Sequence, residues 1–296
     1  MADLAFDQRE GRIWYNGEYV DWKDAKVHVL THGLHYGSTV FEGVRAYGGE
    51  IFKLKEHTER LIASAKALGF DLPYSCEALM DVQKDVLIQN NLTDGYLRPV
   101  AWRGAESMGI GAHDCKIHVA VAAWNWPSYF SAEERMKGLH LMIADWRRPD
   151  PRTIPCKAKA AGLYMICTLS KHAANDKGFT DAMMLDHEGY VAEATGANIF
   201  FVKDGTIHTP RPDSFLDGIT RQTVIDLAKR RGLEVQERKI LPEEMADMEE
   251  CFLTGTAAEV TPVASISQYK FTPGAITERL MHDYTDEVMP KAVAAE

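Results

Sequence analysis

The sequence predicts a two-domain protein of mixed α and β structure, and three observations carry that expectation. At 296 residues and 46% hydrophobic, the chain has room for one large or two medium domains with a substantial core. Strand-like runs and amphipathic helical stretches are mixed in both halves. Between them, WNWPSYFSAEERMKG (124–138) combines proline, serine, aromatics and charges, the composition of a domain link. The boundary is expected near residue 130, with a smaller α+β domain over 1–130 and a larger mixed domain over 131–296.

The first ~25 residues read as short strands, and IWYNGEYV turns at Asn16-Gly17, a dipeptide suited to the positive φ angles of a tight hairpin. LKEHTERLIASAKALGF places Leu54, Leu61, Ile62, Ala65 and Leu68 on one helical face. Ser75 can cap a second helix bearing Leu79, Val82, Val86 and Leu87. YLRPVAW and KIHVAVAAW then read as strands flanking the loop ESMGIGAHD. In the second half LHLMIADW, DAMMLD, NIFFV and CFLTG are strand-like, and FVKDGTIHTP is a hairpin turning at Asp204-Gly205. ITRQTVIDLAKRRG is a helix with Val224, Leu227 and Ala228 inward. No repeat, heptad run or low-complexity block suggests a scaffold or filament.

Charge and motif content narrow the function classes. A net charge of -10 and the absence of an arginine-rich tract argue against a nucleic-acid partner. MADLAFDQRE lacks the basic-then-apolar pattern of a signal peptide, and no apolar run approaches ~18 residues, so a cytoplasmic protein without a membrane partner is expected. Five cysteines without CxxC spacing are expected to be reduced thiols, and His28, His32 and His35 lack metal-ligand spacing, so no metal is expected. Walker, GxGxxG and GxSxG motifs are absent, as is an obvious carboxylate pair.

Lysine chemistry remains. TIPCKAKAAGLY sets Lys157 and Lys159 two apart among small residues, and the fragment alone favours solvated charges for both. FLDGITRQTV puts Gly218, Ile219 and Thr220 at a turn opening a helix, where unpaired N–H groups and the helix dipole favour a phosphate. TGTAAEVTP offers a second such turn, with Gly255, Thr256, Ala257 and Ala258. Taken alone, either motif favours a simple helix cap as the threonine's role.

Taken in order, WYNGEYVDWKDAKVHVLTHGLHYGSTVFEGVRAY, KAKAAGLY, GYVAEATGANIFFV, LDGITR and FLTGTAAEVTPV resemble the class IV aminotransferases, the fold type IV pyridoxal-phosphate enzymes, and within them the branched-chain amino acid aminotransferases. The resemblance covers nearly the whole chain. It implies pyridoxal 5'-phosphate as cofactor, with Lys159 as the catalytic lysine that binds it covalently and Lys157 as a bystander. It further implies that Glu193 faces the pyridine nitrogen, Tyr164 the ring phenolate, Arg60 the phosphate and Leu216 the ring face, with Asn198 behind Glu193. Gly218, Ile219, Thr220 and Thr256 would form the two phosphate turns. Taken alone, Glu193 would be an exposed strand residue, Arg60 a solvated helix charge and Tyr164 a core aromatic.

Fold type IV also includes D-amino acid aminotransferases, R-selective amine transaminases and aminodeoxychorismate lyase. VFEGVRAY supplies Phe41, Gly43 and Arg45 in the F-x-G-x-R pattern of the branched-chain enzymes, and GYLRPVAW supplies Tyr96 and Arg98 in their Y-x-R-P pattern. The resemblance thus implies transfer between L-leucine, L-isoleucine or L-valine and 2-oxoglutarate. Arg98 with Tyr36 would receive the distal carboxylate, Phe41, Trp126, Tyr129 and Tyr164 the aliphatic chain, and Tyr96 with the amides of Thr256 and Ala257 the α-carboxylate. The loop around Met108 resembles one that reaches a neighbouring subunit, implying at least a homodimer, with a hexamer as the larger option. Tryptophan and arginine in VAWRGAESMG, with WNWPSYF, depart from familiar bacterial members, leaving amines or D-amino acids as the alternative substrates and a non-catalytic binding protein as the remotest reading.

Overall fold

The computed structural model describes residues 4–126 and 136–290. These form two compact units: residues 4–126, 158–162 and 290 in the first, and residues 136–157 and 163–289 in the second. The expected boundary near residue 130 lies outside the described residues.

The first unit is built on a seven-stranded sheet comprising β1 (Arg12–Tyr15), β2 (Glu18–Asp21), β3 (Thr39–Phe41), β4 (Val44–Tyr47), β5 (Glu50–Ile51), β6 (Gly95–Arg103) and β7 (Ile117–Asn125). Its order is β2-β1-β7-β6-β4-β5, and β3 also pairs with β6. The β1–β2 hairpin closes at Asn16 and Gly17, both at positive φ, as the Asn-Gly dipeptide requires. Helices α1 (His32–Tyr36), α2 (Leu54–Ala67) and α3 (Cys76–Gln89) complete the unit, and the Ser75 hydroxyl caps α3 by accepting from the Ala78 amide at 3.1 Å.

The inward face of α2 departs from a purely apolar stripe. His57, Thr58 and Ser64 are buried beside Leu54, Leu61 and Ala65. Each has a partner: His57 meets Glu42, Thr58 accepts from Gln83, and Ser64 accepts the Lys159 amide at 2.9 Å. Buried polar groups satisfied in this way fix the position of the helix as well as its orientation.

The second unit holds β8 (Leu139–Ile143), β9 (Asp181–Leu185), β10 (Val191–Ala194), β11 (Asn198–Lys203), β12 (Thr206–Pro210), β13 (Val235–Arg238), β14 (Glu250–Gly255), β15 (Glu259–Ile266) and β16 (Tyr269–Lys270) in one nine-stranded sheet. Helices α4 (Met165–Asp176), α5 (Ile219–Arg230) and α6 (Ala275–Val288) belong to it. Its strands β10, β11, β12 and β14 are buried along most of their length, whereas β13 and β16 are not. Leu141 and Met183 join one apolar cluster with Ile199, Leu253 and Val263, whereas their neighbours Met142 and Met184 join another with Cys167 of α4. Alternation with period two divides the strand residues between these layers.

Two placements differ from the sequence reading. Lys159 belongs to the first unit rather than the later half, because Ala160 bridges to Val40, the Lys159 carbonyl accepts from the Phe41 amide at 3.1 Å, and its amide is held by Ser64. The segment Thr256–Ala258 is the turn of the β14–β15 hairpin, not the start of a helix, since Gly255 pairs directly with Glu259. Neither threonine acts as a helix cap: Thr256 lies in that turn, and the residue capping α5 is Gly218.

Candidate active site

In the first unit the side chains around Lys159 form a cation–aromatic array. Lys159 Nζ stands 5.2 Å from the centre of the Phe41 ring, and the Arg98 guanidinium 4.8 Å from the same ring. Arg98 Nη2 donates to Tyr96 Oη at 3.3 Å, while its buried Nε has no hydrogen-bond partner among the described residues. Tyr96 itself packs against Trp124 and Trp126 at ring separations of 5.1 and 5.2 Å, and the two indoles lie 6.5 Å from each other. Gly43 is required where it stands: a Cβ there would collide with Tyr96 Oη and approach Cζ to 2.8 Å. Arg45 is buried, lies over Tyr47 and donates to the Trp126 carbonyl. Tyr36 is exposed and donates to the Met108 carbonyl at 3.1 Å, tying the 104–111 loop to α1.

Of the two lysines in the motif, Lys157 is exposed and Lys159 is half-buried. Arg60 is not a solvated helix charge, for its Nε and Nη2 bind Glu42 at 2.7 and 2.8 Å. Glu42, with a side chain only 1% exposed, also accepts from His57 Nδ1 at 2.8 Å. Burial alone would raise the Glu42 carboxyl, but the charge and hydrogen bonds of Arg60, aided by His57, hold it down at about 2. Burial lowers His57, against the pull of Glu42, so the imidazole is neutral and donates its Nδ1 proton. An apolar cavity of about 300 Å³ opens on the same sheet between Ile13, Leu34, Val100, Trp102 and Ala120, and Arg98 is the charged residue in its lining.

In the second unit Glu193 is buried, and its carboxylate meets Arg148 Nε at 3.3 Å and Asn198 Nδ2 at 3.1 Å. Glu193 pairs with Asn198 across β10 and β11, and Asn198 pairs with Thr254 across β11 and β14, so the three side chains form a row on one face. It is the face of Met184, against whose cluster Tyr164, at the head of α4, also packs. Asn198 serves three partners: Nδ2 donates to Glu193 and to the Leu216 carbonyl at 3.0 Å, and Oδ1 accepts from the Gly218 amide at 3.1 Å. One amide thereby joins the carboxylate to the turn that opens α5. That helix has Gly218 as N-cap and no side-chain cap, so its first N–H groups, at Ile219 and Thr220, meet no capping side chain.

Sequence reasoning named Lys159, Arg60, Glu193, Asn198 and the turn residues, but not Glu42, His57, Arg148 or Thr254. Arg148 follows a tryptophan–arginine pair in a loop and carries no local signal; only the fold brings it to Glu193 and to Cys167 Sγ at 3.3 Å. Burial raises the Cys167 thiol to about 11, consistent with a packing role. All five cysteines are free thiols. No cluster of three metal-ligating side chains occurs among the described residues, and no helix there is long and apolar enough to cross a membrane. Tyr129 lies outside the described residues.

The chain as a whole is similar to known proteins. The family model for amino-transferase class IV matches residues 39–266, and the chain belongs to that family. Its fold is the fold type IV aminotransferase architecture. A probable branched-chain-amino-acid aminotransferase of Rickettsia felis is 44% identical over 288 residues, covering 96% of this chain and 98% of that protein. The branched-chain-amino-acid aminotransferase of Pseudomonas aeruginosa is 42% identical, covering 98% and 97%. Among solved structures, a T.th. branched-chain amino acid aminotransferase with pyridoxamine 5'-phosphate superposes with a TM-score of 0.92 at 41% identity over 95% of each chain. The Escherichia coli enzyme gives 0.91 at 38% identity over 97% of this chain and 98% of its own.

Proposed function

We propose that this protein is a pyridoxal-phosphate-dependent transaminase that moves the amino group of L-leucine, L-isoleucine or L-valine to 2-oxoglutarate, yielding the branched-chain 2-oxo acid and L-glutamate. The observation that carries the reading is Arg98: a guanidinium whose buried Nε has no partner among the described residues, set over the Phe41 ring that Lys159 also approaches, and bordering an apolar cavity. Such a group can accept a distal carboxylate, while the neighbouring aromatic surface accepts an aliphatic chain, and these are the two demands the paired substrates make.

The residues fit the cofactor. Glu193 is a buried carboxylate that accepts from Asn198 and forms an ion pair with Arg148, suited to a protonated ring nitrogen, and the uncapped start of α5 suits a phosphate. Lys159, Arg60, Tyr164, Glu193, Asn198, Leu216, Gly218, Ile219, Thr220 and Thr256 would hold it. Arg60 would engage the phosphate while Glu42 fixes the Nε–Nη2 edge of its guanidinium. When bound, pyridoxal phosphate supplies the aldehyde that takes up the amino group and the ring that accepts the electron pair left by the α-proton. Lys159 Nζ is the base that removes that proton and the acid that returns it. Glu193, paired with Arg148, would face the ring nitrogen and hold its proton in place. Tyr96 and the amides of Thr256 and Ala257 would orient the α-carboxylate, and Tyr36, Phe41, Gly43, Arg45, Met108 and Trp126 would shape the rest of the substrate site. We assign the protein to the cytoplasm and to a homodimer at least. The exposed apolar residues Val29 and Leu34 near α1, and Ile110 beside Met108, support a second copy covering this surface.

The deciding assay measures amine transfer from L-leucine, L-isoleucine, L-valine, D-alanine and R-1-phenylethylamine to 2-oxoglutarate or pyruvate. L-Leucine with 2-oxoglutarate should rank high, and Arg98→Ala should impair 2-oxoglutarate and glutamate far more than leucine. A preference for D-alanine or the R-amine would overturn the substrate class. Borohydride reduction and peptide mapping should place the cofactor on Lys159; label on Lys157 would reject that role.

A further inference from the structure

Arg221, in the first turn of α5, is among the largest fully buried side chains in the protein, with no exposed side-chain surface. A cation at a helix start is opposed by the helix dipole, and burying its charge carries a large desolvation cost. Three acceptors surround it. Asp217 accepts from Nη1 at 2.9 Å, while Glu237 and the Pro210 carbonyl accept from Nη2 at 2.7 and 3.0 Å. Asp217 belongs to the turn itself, and Pro210 and Glu237 lie on β12 and β13, which run parallel side by side. The guanidinium therefore rivets the turn to two strands. Arg221 Cβ stands 3.5 Å from where a Cβ on Gly218 would be, directly against the turn's backbone.

The guanidinium is fully enclosed and its charge is met by the two partly exposed carboxylates, so its part is to hold the turn in one conformation, with the N–H groups of Ile219 and Thr220 set for an anion. We propose that Arg221 is a positioning residue for the phosphate turn, fixing residues 217–220 so that their amides are held ready for the anion. This rests on the reading that Gly218, Ile219 and Thr220 receive the cofactor phosphate.

The test compares Arg221→Met and Arg221→Lys with the parent as full-length apoproteins. It measures the affinity for pyridoxal phosphate and for pyridoxal, which lacks the phosphate, by equilibrium dialysis. Arg221→Met should weaken pyridoxal phosphate about 30-fold, the scale of one charged hydrogen bond, while changing pyridoxal less than about threefold. Arg221→Lys, which keeps the charge and loses the fork, should show a smaller loss with the same selectivity. If Arg221→Met does not fold, the selectivity of Arg221→Lys decides alone. Equal weakening of both ligands, the signature of a merely structural role, overturns the proposal, as does no change in either. A parent that binds pyridoxal phosphate no better than pyridoxal overturns the phosphate turn itself. A parent that prefers the phosphate, with variants that keep that preference, overturns Arg221 alone.

Discussion

Gly43→Ala tests the packing that sets Tyr96 and Arg98. The new Cβ would overlap Tyr96 Oη and stand 2.8 Å from Cζ, whereas carbon atoms pack at about 3.5–4.0 Å, so the ring must retreat by about 1 Å. Tyr96 is buried in a three-ring cluster with Trp124 and Trp126, at 5.1 and 5.2 Å, so its retreat must move neighbouring rings. Overpacking of this kind costs about 1–3 kcal/mol, and the confinement places it near the upper end. Replacing glycine gains about 0.4–1 kcal/mol by restricting the unfolded chain. The steric term wins, leaving a net loss of roughly 2 kcal/mol and a fall in Tm of roughly 4–8 °C. Displacing Tyr96 also breaks its bond from Arg98, so the half-reaction with L-leucine, followed through the cofactor absorbance, should lose about tenfold or more in kcat/KM. In a Tyr96→Phe background the hydroxyl overlap is gone and only the Cζ approach remains, so the stability loss should shrink by about half. A Gly43→Ala protein with the parent's Tm and half-reaction rate would refute the reasoning, and an equal loss in both backgrounds would show that the hydroxyl is not its route.

Three further outcomes are expected. Asn198→Ala removes the acceptor of the Gly218 amide and the donor to Glu193 and Leu216, and should cost about 3 kcal/mol while loosening cofactor binding; unaltered affinity in dialysis would contradict its linking role. Glu193→Gln should slow the half-reaction far more than it weakens cofactor binding, since the carboxylate acts mainly on the electron-rich state, and equal single-turnover rates would rule this out. Glu42 falls from an ordinary value of 4.5 to about 2 on folding, so the unfolded chain binds its proton more tightly between those values and stability drops as pH falls through that window. The contribution, on the order of 3 kcal/mol, is fully present above about pH 4.5, and Glu42→Gln should lose this dependence in denaturation midpoints; identical pH profiles would sink the assignment.

The sequence by itself determined what rests on neighbours along the chain. Both hairpins turn at Asn16-Gly17 and Asp204-Gly205 because those dipeptides tolerate positive φ, and α3 starts at Ser75 because its hydroxyl caps the next turn. Alternation and helical periodicity likewise marked the main strands and the apolar faces of α2 and α5, and ordered motifs across the chain pointed to the family and, through it, to Lys159 and Glu193 as candidates. Tertiary structure decided which polar groups turn inward. His57 and Ser64 on α2 and Arg221 on α5 carry no periodic signal, because a polar residue on an apolar face is tolerable only when a distant partner meets it. Glu42, Lys159 and Glu237 are those partners, each far away in sequence. The same reason hid Arg148 beside Glu193 and the attachment of residues 158–162 to the first unit: a buried charge or an unpaired amide is satisfied by whatever the fold brings to it, and that is settled only when distant strands and helices pack.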